Sequence, residues 1–352
     1  MINEKKYSIG LDAGSTTLKI VATDSSGDVV FFDYSRHHAN VSKALTEALR
    51  KLKAALGDVQ VHIQVTGSAG MGVSERFGVP FIQEVVAASH VVKVKYPETK
   101  TLIDIGGEDS KMIFFGKDMQ ADIRMNGNCA GGTGAFIDQM AAILGVSVSE
   151  LSDMALGASS VYPIASRCGV FSKTDIQNLV SLNVDRKDIA ASIFHAVANQ
   201  VISALSRGCE VLPKIFLCGG PFAFIPALKC VFKEKLGLDD DQIILSEYAQ
   251  VVPAWGASLF GQEGCAERSV SQFIELFESQ SGASQRKKSG MKPLFASPEA
   301  KQAWDADKTK NFIEKIDFES LEKNTRCFIG IDSGSTTTKI VAADCKERIF
   351  FT

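Results

Sequence analysis

Three glycine-containing turns, each directly after an apolar strand-like run, constrain the fold of this chain more than any other feature. They read DAGSTT at residues 12–17, DIGGED at residues 104–109 and CGGP at residues 218–221. In doubly wound α/β proteins, ligands bind beyond the ends of the strands. Glycine lets backbone amides approach a phosphate, and Ser and Thr hydroxyl groups add donors. An ordinary hairpin would explain one such turn, but three in succession predict a phosphate-binding α/β protein.

The charged residues of these turns suit a magnesium–phosphate ligand. Asp12 and Asp104 are hard carboxylates that can hold Mg²⁺, mostly through its water molecules. Lys19 or Lys111 can neutralise a phosphate as a point charge. The sequence contains no GxxxxGK[ST] motif, and no GxGxxG motif follows the first strand, so the predicted site is not a P-loop.

Strand and helix patterns follow one another in two similar cycles. Three strand-like runs between residues 7 and 34 precede an amphipathic helix at 41–56, and a second run of three strands begins at residue 101. Further helices are predicted at about 84–95, 133–145, 149–156, 173–182, 187–208 and 249–262. The two cycles predict two similar α/β lobes with a cleft between them.

The chain also contains an internal repeat. Residues 7–24 and 327–344 are identical at 12 of 18 positions, at an offset of 320. We therefore expect a complete domain at 1–268 with lobes at about 1–95 and 96–268, a linker with short helices at 269–325, and the truncated start of a second copy at 326–352. Such a chain reads as a fragment of a longer polypeptide. Alternatively, the terminal copy supplies strands to another molecule.

Composition excludes several classes of protein. The 352 residues are 45% hydrophobic and 22% charged, as in globular proteins, and the net charge of −3 gives no basic excess for nucleic-acid binding. The sequence contains no run of eighteen apolar residues that would suggest a membrane span, and its first residues lack a signal-peptide pattern. We expect a cytoplasmic protein that binds neither nucleic acid nor membrane.

Two of the eight cysteines lie just before predicted helices. Cys129 and Cys168 are 168 − 129 = 39 residues apart, near helix N-termini that favour a thiolate or an anionic cluster. Two thiolates are half of the set that a [4Fe–4S] cluster takes, and a symmetric homodimer would supply the other half. From spacing alone, three interpretations stay open: cluster ligands, small buried hydrophobic residues, or a catalytic nucleophile.

The order of the three turns resembles the phosphate-1, phosphate-2 and adenosine motifs of the actin/Hsp70/sugar-kinase superfamily. This resemblance implies two RNase H-like lobes that clamp Mg-ATP in a nucleotide cleft between them. In addition, NGNCAGGTGAFID at 126–138 and ASRCGVFSKTD at 165–175 resemble the cluster-binding segments of the BadF/BadG/BcrA/BcrD ATPase family, which activates 2-hydroxyacyl-CoA dehydratases. The similarity covers about residues 7–262.

The resemblance implies a role for each motif residue. Asp12 and Asp104 would hold Mg²⁺-bound water and act in catalysis with Glu108, which would orient the attacking water or act as a base. The expected phosphate contacts are Gly14, Ser15, Thr16, Thr17, Lys19, Gly106, Gly107 and Lys111. Gly219 and Gly220 would lie against adenosine. Cys129 and Cys168 of two subunits would ligate one [4Fe–4S] cluster.

The resemblance to this family implies that the chain is an ATP-driven electron-transfer activator. A ferredoxin or flavodoxin would supply an electron, and the acceptor would be a 2-hydroxyacyl-CoA dehydratase, a double-cubane cluster protein or a benzoyl-CoA reductase. The chain departs from the family at Glu108, where Gln is usual, and residues 65–70 lack the common TGYGR form. The alternatives are a small-molecule kinase of the same fold and a non-catalytic nucleotide-dependent assembly module.

Overall fold

The structure, a computed structural model, describes residues 6–116, 120–126, 130–166, 168–260, 267–279, 293–309, 313, 315–334 and 337–352. The chain divides into two compact units, Met1–Ala283 and Ser284–Thr352. The predicted phosphate turns all lie in the first unit.

The first lobe is built on a five-stranded sheet. Its opening strands, an antiparallel meander, are β1 (Tyr7–Ala13), β2 (Thr17–Thr23) and β3 (Val29–Arg36). They are followed by α1 (Val41–Leu56), β4 (Gln60–Thr66), α2 (Gly70–Phe77) and α3 (Glu84–Lys95). β4 pairs with β1 in parallel. A parallel pair needs a long crossover connection, and the amphipathic helix α1, which packs on one face of the sheet, provides it.

The second lobe repeats this plan. Its strands are β5 (Thr101–Ile105), β6 (Ser110–Phe115), β7 (Ala121–Asn126), β8 (Ile215–Cys218) and β9 (Ile243–Leu245). The sheet order is β7-β6-β5-β8-β9, with an antiparallel meander followed by two parallel pairings. β1 and β5 therefore hold the same place in their sheets, as the predicted two-lobed α/β architecture requires.

Helices cover the second sheet and form the largest core. They are α4 (Gly134–Leu144), α5 (Val148–Leu156), α6 (Gly169–Ser181), α7 (Arg186–Leu205), α8 (Gly220–Phe224) and α9 (Pro226–Leu236). Within the described residues, α7 is the one unbroken helix that is long and apolar enough to cross a membrane, and 78% of that apolar window is buried inside the protein. α4 and α5 meet the same criterion only when taken together, and they are bent by 83°.

After β9 the chain returns to the first lobe. α10 (Val252–Phe260) packs on β1 so closely that a Cβ at Gly10 would overlap the carbonyl oxygen of Ala254. β10 (Arg268–Ser269) then pairs with β4, and α11 (Val270–Ser279) buries Phe273 and Phe277 in the first core. The first unit therefore extends beyond the expected boundary at 268, and its first lobe is not continuous in sequence.

The second unit repeats the start of the first. Beyond α12 (Pro298–Thr309), it contains an antiparallel sheet of β11 (Cys327–Ser333), β12 (Thr338–Asp344) and β13 (Ile349–Phe351). The register of β11 with β12 matches that of β1 with β2. Ile329 and Ile331 are 66% and 67% exposed, whereas their counterparts Ile9 and Leu11 are fully buried. The three strands of this unit therefore follow the same order and pairing as β1, β2 and β3.

Candidate nucleotide-binding site

Two hairpins of the same construction face the site, one from each lobe. Asp12 lies opposite Lys19 in the β1–β2 register, and Asp104 lies opposite Lys111 in the β5–β6 register. The Gly14 amide donates to the Thr17 carbonyl oxygen at 3.0 Å, and the Gly106 amide donates to the Asp109 carbonyl oxygen at 2.9 Å. Each turn thus places an aspartate, a glycine and a lysine in equivalent positions.

A glycine after the adjacent parallel strand completes each half of the site. Gly67 follows β4 with φ +93°, and a Cβ there would overlap Oδ1 of Asp12. Gly219 follows β8 with φ +97°, and a Cβ there would lie 2.6 Å from Oδ1 of Asp104. Both positions need the positive φ and the missing side chain that glycine provides. Gly67 was not among the predicted contacts, although it directly follows β4 in the same way that Gly219 directly follows β8.

The cleft between the lobes has two chambers, with cavity volumes of about 240 and 200 Å³. The six residues that line both chambers are Thr16, Thr17, Lys19, Glu84, Gly106 and Gly107. The larger chamber adds Asp104, Gly219 and Gly220, and the smaller chamber adds Gly14, Ser15, Glu108 and Asp109. The structure therefore brings the residues of all three predicted turns around one cleft.

Two predicted residues lie behind this lining. Asp12 is 1% exposed, and its Oδ2 accepts a hydrogen bond from Lys19 at 2.8 Å. Lys111 is 2% exposed, and its ammonium group lies 3.0 Å from both Glu84 and Asp109 and 3.7 Å from Asp104. Lys111 lines neither chamber, so its position favours a counter-ion for carboxylates over the predicted phosphate contact.

Glu84 was not identified from the sequence. It is the first residue of α3, and its Oε1 accepts a hydrogen bond from Lys111. Burial raises the pKa of this carboxyl to about 7, because the opposing effect of Lys111 is offset by the carboxylates of Asp12, Asp104 and Asp109. No local motif marks Glu84, and its place becomes evident only when α3 is packed beside both hairpins.

The other ionisable groups of the cluster respond to the same burial. Burial raises the pKa of Asp104, against the attraction of Lys111. For Lys111, burial opposes the charge, but Asp104, Glu84 and Asp109 outweigh it and raise the pKa. The pKa of Lys19 is raised in the same way, since Asp12 outweighs its burial. Both lysines are therefore cations at neutral pH.

The donor set at the aspartates suits Mg²⁺. Among the described residues, Oδ1 of Asp12 is buried without a hydrogen-bond partner, and so is Oγ1 of Thr66 at the end of β4. Unpartnered buried oxygens are costly unless a ligand or water satisfies them. With Asp104 nearby, these hard oxygens fit a water-bearing Mg²⁺ ion. No group of three or more His, Cys, Asp or Glu side chains in the described parts of the chain forms a ready-made metal cage.

Alternate residues of β3 contact the second lobe beside the larger chamber. The rings of Tyr34 and Phe224 meet edge to face, with centroids 5.3 Å apart. Nη2 of Arg36 lies 3.1 Å from Oδ2 of Asp138 on α4. All four residues line the larger chamber. They were not predicted, because each pair joins segments more than 100 residues apart in sequence.

Of the two predicted cluster ligands, one is described. Cys168 is the N-cap residue of α6, which begins four residues earlier than predicted, and its side chain is half-buried with a free thiol. Cys129 lies outside the described residues. The chain just after it is tied to the phosphate-2 turn, since the amides of Gly134 and Ala135 donate to the carbonyl oxygens of Gly106 and Gly107 at 2.9 and 2.8 Å.

Two lobes of one plan, with phosphate turns facing each other across a cleft, define a nucleotide-binding protein of the actin/Hsp70/sugar-kinase-like class. Within that class, the chain belongs to the BadF/BadG/BcrA/BcrD ATPase family, whose profile matches residues 9–261. The predicted fold class, family and ATPase activity are thereby confirmed.

Characterised relatives cover the same part of the chain. The 2-hydroxyisocaproyl-CoA dehydratase activator of Clostridioides difficile is 30% identical over 74% of this chain and 97% of its own length. The (R)-2-hydroxyglutaryl-CoA dehydratase activating ATPase of Acidaminococcus fermentans is 28% identical over 74% of this chain and 99% of its own. The solved activator of the Clostridium difficile 2-hydroxyisocaproyl-CoA dehydratase, with bound ADPNP, superposes with a TM-score of 0.64 at 30% identity, covering 78% and 97% of the two chains.

Proposed function

We propose that this ATPase activates a 2-hydroxyacyl-CoA dehydratase, or a related benzoyl-CoA reductase or double-cubane cluster protein, by ATP-driven transfer of a low-potential electron. Relatives named as dehydratase activators support this class of partner, and so does a relative from Thauera aromatica that is named as part of benzoyl-CoA reductase. A ferredoxin or flavodoxin is the proposed electron donor.

The observation that carries the redox part of this proposal is the setting of Cys168. Its place at the N-terminus of α6 puts the thiol beside backbone amides that favour negative charge. Two apolar residues that follow closely are strongly exposed, Val170 by 73% and Phe171 by 65%. Exposed apolar side chains next to a free thiol suit a site that a second subunit covers. Together with Cys129, two subunits would hold a [4Fe–4S] cluster, which would supply one-electron transfer.

The nucleotide is proposed to lie across both chambers as Mg-ATP. Asp12 and Asp104 would hold water molecules of the Mg²⁺ ion, and Glu108 faces the smaller chamber as an acidic residue of the catalytic end. The phosphate chain would contact residues that line both chambers, including Thr16, Lys19 and Gly106. Gly219 and Gly220 line the larger chamber beside Phe224 and Pro253, an apolar setting that suits adenosine.

Coupling between the two sites would run through the start of α4. The amides of Gly134 and Ala135 bond to the phosphate-2 turn, and Cys129 precedes Gly134 by five residues. A nucleotide that binds the closed and open lobes with different affinity shifts their equilibrium. Movement of Gly106 and Gly107 would thus be passed to the chain that carries Cys129.

Iron and sulfide analysis of the anaerobically prepared protein, with its oligomeric mass, tests this function. We expect a brown homodimer that contains about four irons per dimer, which follows from the proposed cluster, and Cys168→Ser is expected to lose the iron while still binding nucleotide. Cys230→Ser, at an exposed cysteine outside the site, is the matched control. A colourless protein that takes up no iron after reconstitution would contradict the proposal and would leave an ATPase without a redox role.

A further inference from the structure

Glu84 holds an unusual place in the cleft. Of the six residues that line both chambers, Glu84 is the one carboxylate within the described chain. Asp104 reaches the larger chamber alone, and Glu108 and Asp109 reach the smaller chamber alone. A carboxylate at this junction repels a phosphate chain and therefore weakens nucleotide binding. Its presence here indicates that Glu84 serves another purpose in the site.

The orientation of Glu84 is restrained from behind. Lys111 donates to Oε1 at 3.0 Å, and Lys111 is itself held by Asp109 at 3.0 Å. The side chain of Glu84 remains 24% exposed, whereas the side chain of Lys111 is 3% exposed. The ion pair therefore fixes one carboxylate oxygen and leaves the group open on the side of the chambers.

Its surroundings also suit an acceptor of protons. A general base works best when its pKa lies near the operating pH, and burial raises that of Glu84 to about 7. Glu108, by comparison, is an exposed residue in the turn after β5. The half-buried and restrained carboxylate of Glu84 is the better placed of the two for a reaction at the phosphate end.

We infer that Glu84, rather than Glu108, orients the water that attacks the γ-phosphate of ATP and accepts its proton. The water oxygen forms a bond to the γ-phosphorus, and the bond from that phosphorus to the oxygen bridging to the β-phosphate breaks. ADP leaves with the electron pair, and the proton of the water passes to the Glu84 carboxylate. This inference rests on the ATPase activity and is independent of the proposed cluster and electron acceptor.

The test compares kcat with nucleotide affinity in the full chain. Glu84→Gln keeps the size of the side chain and leaves Lys111 with Asp104 and Asp109, so we expect kcat to fall about 10²–10⁴-fold, the usual contribution of a general base. The Kd for Mg-ADP, measured by calorimetry, should stay the same or decrease because a negative charge beside the phosphates is removed. Glu75→Gln, on α2 and outside the lining of both chambers, is the matched control.

Two further variants keep the inference testable. Glu84→Asp retains the charge that balances Lys111 but withdraws the carboxylate by one methylene, so it should lose kcat while keeping the Mg-ADP affinity and the melting temperature. Glu108→Gln is expected to lose less kcat than Glu84→Gln. Near-normal hydrolysis by either Glu84 variant, or a larger loss from Glu108→Gln, would overturn the inference. Loss of iron or of electron transfer would not bear on it.

Discussion

Asp12 and Asp104 hold equivalent positions in two hairpins, yet their lysine partners have different surroundings. Lys19 reaches the cleft with 16% of its side chain exposed, whereas Lys111 is buried against three carboxylates. The two equivalent Asp–Lys pairs thus differ in role. Lys19 can contact a phosphate, whereas Lys111 balances the charge of acidic residues. Lys339 and Asp332 repeat the pair in the second unit at 3.2 Å, with both side chains exposed.

Gly219 is expected to tolerate no side chain. Its φ of +97° and ψ of 158° fall in a region that is essentially restricted to glycine and costs other residues about 1–3 kcal/mol. In Gly219→Ala, overlap with the Ile105 carbonyl oxygen adds to this cost. Gly237→Ala is the control, because its surroundings are open and its left-handed conformation costs about 1–2 kcal/mol. In urea unfolding, Gly219→Ala should therefore lose more free energy of unfolding than Gly237→Ala. Equal decreases in the two variants would contradict this account.

Asp188 predicts a pH-dependent contribution to stability. Its carboxylate accepts hydrogen bonds from the amides of Ser159 at 2.8 Å and Ser160 at 3.0 Å, which lowers its pKa below the ordinary value. The unfolded state then binds the proton more readily, so the stabilisation is present at neutral pH and is lost as the pH falls through the folded-state pKa. Asp188→Ala should therefore reduce the free energy of unfolding at neutral pH, with a smaller difference from wild type in acid near pH 3.

Asp188→Asn serves as the comparison in that experiment. It keeps an acceptor oxygen without the charge, so its loss at neutral pH should be smaller than that of Asp188→Ala. A difference from wild type that stays constant from neutral pH to pH 3 would exclude the charged hydrogen bonds as its cause.

At the scale of single elements, β3 and α4 form a contact across the mouth of the cleft through Arg36 and Asp138. The pair is exposed, so its worth is about 0.2–1 kcal/mol, which corresponds to at most about a fivefold change in rate. We expect Arg36→Ala and Asp138→Ala each to accelerate ADP release within that range, measured by stopped-flow fluorescence. The double variant should release ADP no faster than the faster single variant.

The matched control is an ion pair within the first lobe. Arg50 on α1 and Glu278 on α11 are exposed to a similar degree and lie 2.7 Å apart. Removing them should leave ADP release unchanged, because neither residue lines the cleft. If the Arg36 and Asp138 substitutions accelerated ADP release additively, the ion pair between them would not be what slows ADP release.

α11 is expected to be required by the first core. Phe277 is fully buried and packs edge to face on Phe77 of α2, with ring centroids 4.5 Å apart. Phe277→Ala should lower the free energy of unfolding by about 3–5 kcal/mol, as for other buried aromatic residues. Glu275→Ala, on the same helix but outside the core, should change it by less than about 0.5 kcal/mol. Equal effects would place α11 outside the cooperative unit.

Local signals in the sequence predicted the elements well and their long-range partners less well. The turns after β1, β5 and β8 carry glycine and aspartate at the strand ends, so both lobes and the lining residues that these turns supply followed from the motifs. Glu84 and Arg36 have no motif, because their roles depend on which distant elements pack beside them. The expected boundary at 268 left out α11 for the same reason, since only packing on α1 shows that this helix belongs to the first lobe.

At the scale of the whole molecule, the first unit is two equivalent halves joined by chain crossings. Each half supplies one Asp–Lys hairpin and one glycine after a parallel strand, and neither half encloses the cleft by itself. ATP that spans the cleft is therefore a bivalent ligand, because it contacts two lobes that are tethered to each other. The affinity for ATP then depends on the effective concentration of one lobe at the other. A substitution that weakens the packing of α10 on β1 would therefore weaken ATP binding, although neither element needs to contact the nucleotide.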